Sequence, residues 1–555
     1  MSTAPVQTRR DDRARQGLRA PLAGTGRISR HILRRDRLRM VVWTASITAF
    51  AVYFMAALTN VFDEAALAAR AAIMRTPTGI VLGGPGYGLD HYTAPVAMAN
   101  EGTMWVVLAL SIMSVLHVVR HTRAEEENGL SELVRASAVG RQAPAVATLL
   151  TLTCLLIVIG AVAALAMVAV APGTPLIDAL AMMLGSALVA LVFGAFALVM
   201  CQVTAQPRTA TGLSVAVFGL AVAIRAAGDV QEQGGSALSW FSPIAWAQQT
   251  RAFVDLRWWP LLLAAGAVAV LLVLAAVLAT RRDFGAGLLA SRPGRADAPT
   301  VLRSPLALAW AQQRGTLLWT GLGLGAMWFG TGTLMSTLDA MVSDLVETNP
   351  ALGQLFGTDP ALFAAAFLDV MMMFAAVCCA AYAVVMGQRP RTEESSGRLE
   401  LALAGPVSRT RWLGAQLIVA AIGTVVLLAL STYAMWAGAV LVDVTEPGLD
   451  RYTAAFVAHI PAVLVFLAMT AALFGGAPRW TGMAWLLVAF AFIVGMFGGL
   501  LDVPDGVQAL SPLHAVSTAF TDGVDGGAVA VLCVVAAVLL VAAFAGFRHR
   551  QIMTE

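Results

Sequence analysis

"RAEEENGLSELVRASAVGR", residues 123–141, sets three consecutive glutamates and an Asn-Gly pair between two long apolar runs. A second version, "RTEESSGRLELALAGPVSR", occupies 391–409. At a shift of 268, Arg123, Glu125, Glu126, Gly129, Glu132, Leu133, Ala136, Val139 and Arg141 fall on Arg391, Glu393, Glu394, Gly397, Glu400, Leu401, Ala404, Val407 and Arg409, nine identities in nineteen positions. "FSPI" (241–244) answers "LSPL" (510–513) at nearly the same distance, and "WT" recurs at 43–44 and 319–320. The chain therefore reads as two same-sense copies of one unit.

Composition says what kind of unit. Of the 555 residues, 59% are hydrophobic and 12% charged, against about 25% charged in an average soluble domain; mean hydropathy is +0.77. An aqueous core cannot hide that much apolar surface. Lipid admits only helices and closed barrels, and the apolar runs are too long for barrel strands, so the fold class is all-α, a polytopic membrane protein. A span needs about 20 mostly apolar residues. Twelve runs qualify: 40–60, 103–120, 144–170, 178–202, 209–226, 260–280, 316–337, 367–387, 413–442, 454–475, 482–501 and 528–547. The expected organisation is an arm (1–39), a first six-span half (40–280), a linker (281–315), a second half (316–547) and a tail (548–555).

There is no lysine, so all 36 basic residues are arginine. With both termini inside, inner segments carry 30 Arg and 13 acidic residues, and outer segments 6 and 20. This is a strong positive-inside bias. It predicts a multi-pass protein of a bacterial plasma membrane with both termini cytoplasmic. The first 39 residues lack the apolar centre of a cleavable signal. Same-sense repeats imply an axis along the membrane normal and a pathway between the halves.

In the repeated motif, Asn128-Gly129 is a stop signal, because glycine takes the left-handed conformation that ends a helix. Glu125 and Glu126 then sit on the last turn. Leu130, Leu133, Val134 and Ser137 recur at helical spacing, which predicts a short helix across the inner ends of the spans, with carboxylates facing the cell interior. A solvated turn would explain one copy. Two copies at matched positions favour a role.

The search for chemistry is negative. Cys154, Cys201, Cys378, Cys379 and Cys533 fall inside apolar runs and read as small buried residues with no metal-ligand spacing. A phosphate-binding G-x-x-x-x-G-K-[ST] loop is impossible without lysine. "GGPGYG" (83–88) lies in the first outer loop and reads as a turn. No catalytic residue, metal ligand, cofactor or nucleic-acid partner is expected for this chain. His459, beside Pro461 in span ten, reads as a neutral histidine bonded to a neighbouring helix. Arg225, Asp339 and Asp369 lie near span ends, where reaching out to water suffices.

The cytoplasmic E-E-x-x-G-x-x-E-L pattern, followed by a small-residue x-V-x-R between spans two and three of a six-span unit, resembles the permeases of type-2 ATP-binding-cassette exporters. The fused halves and arginine-rich composition are similar to the actinobacterial polyketide-antibiotic or multidrug exporter permeases of the tetronasin type. The resemblance implies that the short helix is a coupling helix, docked on a separate ATPase. It nominates Glu125, Glu126, Gly129, Glu132 and Arg141, with Glu393, Glu394, Gly397, Glu400 and Arg409, as coupling residues. Glu127-Asn128 becomes Ser395-Ser396 and Ala138 becomes Pro406, which leaves equivalent docking in the two halves open.

Two ATPase copies, carrying ATP and Mg, are the implied partners, with the lipid bilayer and a hydrophobic small-molecule substrate. Spans two and five of each half would line the cleft, which nominates Met104, Leu108, Ile112, Met371, Met372, Phe374, Phe490 and Phe497; ordinary packing is the other reading. "ISRHILRRDRLRM" (28–40) and "SPLALAWAQQRG" (304–315), the latter through Leu306, Leu308 and Trp310, fit interfacial amphipathic helices or plain arginine anchors. Residues 237–255 and 507–523 resemble re-entrant or interfacial helices, or an aromatic belt. The implied function is export of bulky apolar drugs or antibiotics. A proton-coupled secondary drug transporter is the alternative, although its second loop is usually basic and its span centres hold acids. A membrane enzyme would need a cluster of polar residues in a loop, which the sequence lacks.

Overall fold

The structure, a computed structural model, describes residues 20–129, 132, 139–282, 285–289, 297, 299, 302–336, 360–497 and 503–551. Among them every regular element is helical. This is what an apolar solvent demands, since only intra-helical hydrogen bonds satisfy a backbone that no water reaches. The chain divides into two compact units, Met1–Gly294 and Arg295–Glu555, so the boundary falls inside the expected linker.

In the first unit α1 (Thr25–Arg35) leads through Asp36 into α2 (Arg37–Asn60), followed by α3 (Thr103–His121), α4 (Ala143–Val170), α5 (Leu176–Val203), α6 (Pro207–Gln231) and α7 (Trp259–Arg281). In the second unit α8 (Pro305–Thr333), α9 (Pro360–Gly387), α10 (Arg398–Leu403), α11 (Arg409–Leu441), α12 (Leu449–Gly476), α13 (Ala484–Phe497) and α14 (Gly526–His549) follow. Eleven of the described helices are long and apolar enough to cross a membrane, six in the first unit and five in the second. The twelfth expected span, 316–337, falls on α8. That helix is 29 residues long, but its many Gly, Thr and Trp residues thin its apolar character below that of the other spans.

The halves differ at their first helix. α1 buries Ile32 at 3% exposure and turns its arginines outward, as expected of an interfacial helix. The chain then bends at Asp36 (φ −104°, ψ 13°). In the second half no such bend occurs. Ser304 caps the helix by accepting from the Ala307 amide at 3.1 Å, Pro305 sits at the first turn, and one helix runs through the expected interfacial segment into the span. The polar "AQQRG" (311–315) reads as a break in the sequence, yet these residues are good helix formers apart from the glycine.

Burial repeats between the halves. The α5 span is 72% buried within its unit and the α12 span 61%, whereas α7 and α14 are both 17% buried. Val270, Val273, Val534 and Val541 on these last helices are all more than 60% exposed, as lipid-facing side chains are.

Where helices cross closely, glycine permits it. A Cβ on Gly332 of α8 would lie 2.0 Å from the Met435 carbonyl oxygen of α11, and one on Gly438 2.1 Å from that of Phe329. A Cβ on Gly475 of α12 would lie 2.3 Å from the Ala543 carbonyl oxygen of α14. Without a hydrophobic drive between helices in lipid, such backbone approach is a main source of association.

At the opposite end from the arginine-rich loops, residues 61–102 of the first unit form a packed cap. Helices Glu64–Met74 and Pro77–Leu82 are N-capped by Asp63 and Thr76. "GGPGYG" is a turn, as expected, and the Asn100 side chain grips both the amide and the carbonyl of Tyr87 at 2.9 Å. Burial, reinforced by the Glu101 carboxylate, pushes the Tyr92 phenol above its ordinary range, so it remains a donor to Glu101 at 2.9 Å.

Three sequence expectations need correction. Arg225 does not reach water. It is fully buried, donates to the carbonyls of Ile80 (3.0 Å) and Val81, and pairs with Asp229 at 3.4 Å. It satisfies the orphan carbonyls at the end of a short helix. Asp369 is 8% exposed and accepts from the amides of Phe520 (2.8 Å) and Thr521 (3.1 Å). His459 bonds its own helix, Nδ1 to the Ala455 carbonyl at 2.8 Å, near the carbonyl that Pro461 leaves free. Asp339 lies outside the described residues.

Gly332→Val should lower the unfolding temperature of the purified protein markedly, because overpacking costs about 1–3 kcal/mol even where a neighbour can yield, and here the neighbour is backbone. Gly212→Ala, with nothing among the described residues within 4 Å of its Cβ, is the control that should not lower it.

Candidate functional site

The repeated motif folds the same way twice. α3 breaks at Thr122 (φ −124°, ψ −85°) into the short helix Arg123–Glu127, which Gly129 ends at φ 72°. α9 gives way to the short helix Arg389–Ser395, which Gly397 ends at the same φ of 72°. Among the described residues, no atom lies within 4 Å of a Cβ at either glycine. The requirement is therefore conformational, not steric. Of the helix expected over 130–137, only Glu132 is described; it is exposed. The second copy is α10, with Leu399 buried at 1%, Leu401 exposed at 78% and Glu400 exposed.

Not all the nominated carboxylates face outward. Glu126 accepts from both guanidinium nitrogens of Arg282, at 2.9 and 2.5 Å, and from Arg123 at 2.5 Å. Glu394 accepts from both of Arg550, each at 2.6 Å. The shift of 268 that aligns the motifs also carries Arg282 onto Arg550. Each half thus ties the end of its second span to the end of its sixth by a two-pronged ion pair, the strong form of this contact. The Glu394 side chain is fully buried and that of Arg550 is 13% exposed; the guanidinium lies 4.8 Å from the Phe474 ring centre.

Arg141 and Arg409 complete the arrangement. Arg141 donates to the carbonyls of Ala279 (2.6 Å) and Arg282 (3.2 Å), and Arg409 to that of Arg550 at 2.7 Å. Both cations cap the C-terminal end of the sixth span, where the helix dipole favours them. Spans two, three and six are joined at one end in each unit. Arg282 and Arg550 were missed in the sequence, although extending the repeat shift to the span ends would have found them.

Glu125 pairs with Arg35 at 2.8 Å and Glu393 with Arg398 at 3.0 Å. Of the nominated glutamates, Glu132 and Glu400 are exposed. A cavity of about 470 Å³ opens beside the first motif, walled by His121, Glu125, Glu126, Arg141, Leu149 and Leu272 among others.

The nominated cleft residues are dispersed in burial. Met104 is 8% exposed; Leu108 and Ile112, on the same face of α3, are half-buried. Met372 is fully buried beneath the Thr432 hydroxyl at 3.5 Å, while Met371 and Phe490 are half-buried. Phe374 meets Phe492 edge-on at 5.9 Å. The Phe497 side chain lies outside the described residues.

Residues 302–548 match the family described as the multidrug efflux system permease Rv1217c, C-terminal domain, almost the whole of the second unit. The full chain is 36% identical over 564 residues to the multidrug efflux system permease protein Rv1217c of Mycobacterium tuberculosis, covering 98% of each chain.

Removing one partner of a buried ion pair costs about 3–5 kcal/mol, because the other charge is stranded. Glu394→Gln should therefore lower the unfolding temperature of the purified protein far more than Glu400→Gln. The exchanged pair Glu394→Arg with Arg550→Glu should recover part of the loss, and equal stability of the two single variants would remove the ion pair from this account.

Proposed function

Because the chain belongs to the family of the multidrug efflux system permease Rv1217c, we propose that it is the membrane subunit of an ATP-binding-cassette exporter. It moves bulky apolar compounds, drugs and antibiotics among them, out of the cell, and a separate ATPase supplies the energy. The observation that carries this reading is the paired turn: two glycine-stopped motifs at matched positions, both at φ 72°, each followed by an exposed glutamate and each pinned to three spans. A docked ATPase pushing on such a turn moves those spans together, whereas a solvated loop would need no ion pair behind it.

One chain supplies both halves, so the complex holds one permease and two ATPase subunits, with ATP and Mg²⁺ in the latter. The turns face the cytoplasm, where the arginine bias puts them. Glu132 and Glu400 are the residues free to meet arginine or lysine on the ATPase. Glu126 and Glu394 act behind them, holding the turn rigid.

Co-expression with its ATPase subunit should yield a stable complex. Losing one partner of a desolvated interfacial charge pair costs about 2–5 kcal/mol, at about 1.4 kcal/mol per factor of ten. Glu132→Gln with Glu400→Gln should weaken ATPase association at least about tenfold and leave the permease folded. Gly129→Leu forces a side chain into left-handed backbone, and should separate ATP hydrolysis from drug efflux in the assembled complex. Wild-type efflux in all of these variants, or a permease that transports with no ATPase attached, would end the reading.

A further inference from the structure

Beside the first motif lies a cluster that the coupling role leaves unused. His117 and His121, one turn apart on α3, meet Asp36 at the bend between α1 and α2. One ring nitrogen of each histidine and one carboxylate oxygen lie within 4.8 Å of one another. All three are buried, at 9%, 2% and 4% exposure.

The surrounding bonds fix the His117 tautomer. The Thr151 hydroxyl donates to the Thr148 carbonyl at 2.9 Å, so at 3.2 Å from His117 Nε2 it can only accept. Nε2 therefore carries the proton and Nδ1 keeps its lone pair. His121 Nδ1 faces Glu125 Oε1 at 3.4 Å, and its Nε2 meets Asp36 Oδ2 at 2.7 Å. Arg120 occupies the other Asp36 oxygen at 3.2 Å. Two imidazoles and a carboxylate converge here, with oxygen atoms on their outer sides, as outer partners orient metal ligands.

The second half agrees. The shift of 268 carries His117 to Val385 and His121 to Arg389, and the shift of 276 between the two "WT" pairs carries Asp36 to Gln312. Arg389 donates to the Gln312 carbonyl of α8 at 2.6 Å. Position 389 thus holds a permanent cation against the first helix of its half, whereas position 121 holds a ligand for one.

The geometry points to a divalent transition-metal site, of the kind zinc takes, formed by His117, His121 and Asp36, with Glu125 as the outer carboxylate. Small side-chain rotations bring the donors to the bonds of about 2.0–2.2 Å that zinc makes to nitrogen and oxygen. His121 lines the 470 Å³ cavity, which gives an ion its route in and leaves room for water at a fourth position. The bound ion clamps the interfacial helix to the span that leads into the coupling turn.

The test strips the purified full chain with chelator, returns Zn²⁺ or Co²⁺ and measures retained metal after desalting. The wild type should hold about one ion per chain, and Co²⁺ should give the intense visible bands of a four-coordinate site. His121→Arg keeps a cation at that position, as the second half does; it should elute as folded protein and hold none, and His117→Gln should behave alike. Glu125→Gln should weaken binding about 10- to 100-fold. A wild type that retains no metal, or variants that retain as much as the wild type, would overturn the site.

Discussion

A glutamate ending the second span and an arginine ending the sixth meet in each half, Glu126 with Arg282 and Glu394 with Arg550. In lipid, apolar helices gain little by hiding apolar surface from one another. The last spans, α7 and α14, leave most of their surface to lipid. A charged bond at the membrane edge, partly dry and formed by two parallel hydrogen bonds, gives each a fixed position. Arg141 and Arg409 then cap the same helix ends, so the start of span three is placed by the same joint. Helix positions near the turn, and the turn itself, follow from that one contact.

Around this shared joint the halves diverge. The first half carries a packed outer cap through which Arg225 is buried, and its arginine-rich end includes a bent first helix fastened by Asp36, Arg120 and His121. The second half replaces that fastening with Arg389 and a straight helix. Among its described cleft candidates, Met372 is wholly enclosed and Phe374 packs on Phe492. The two halves share a joint and differ in what fastens their first helix.

Much of this was legible in the sequence, for physical reasons. Run length and polarity reveal spans because lipid permits nothing else, and apart from α8 and α9, which begin well before their runs, the described helices follow the expected runs within a few residues. Gly129 and Gly397 announced their left-handed turns. Other features were not legible because they depend on partners far along the chain. Nothing local to Arg225 says that two carbonyls at residues 80 and 81 await it. Gly332 and Gly438 look like ordinary small residues until their helices cross. Asp36 and His121 lie on different elements, and no spacing rule joins them. Arg282 and Arg550 are the intermediate case, visible to anyone who carried the repeat as far as the last spans.

The straight first helix of the second half has a mechanical meaning. At 1.5 Å per residue its 29 residues make a rod about 43 Å long, enough to cross the bilayer and continue past one face. In the first half the same stretch is two helices, α1 and α2, that change direction at Asp36, where Arg120 and His121 hold the corner. One half meets the membrane surface with a single continuous strut, the other with a bracket.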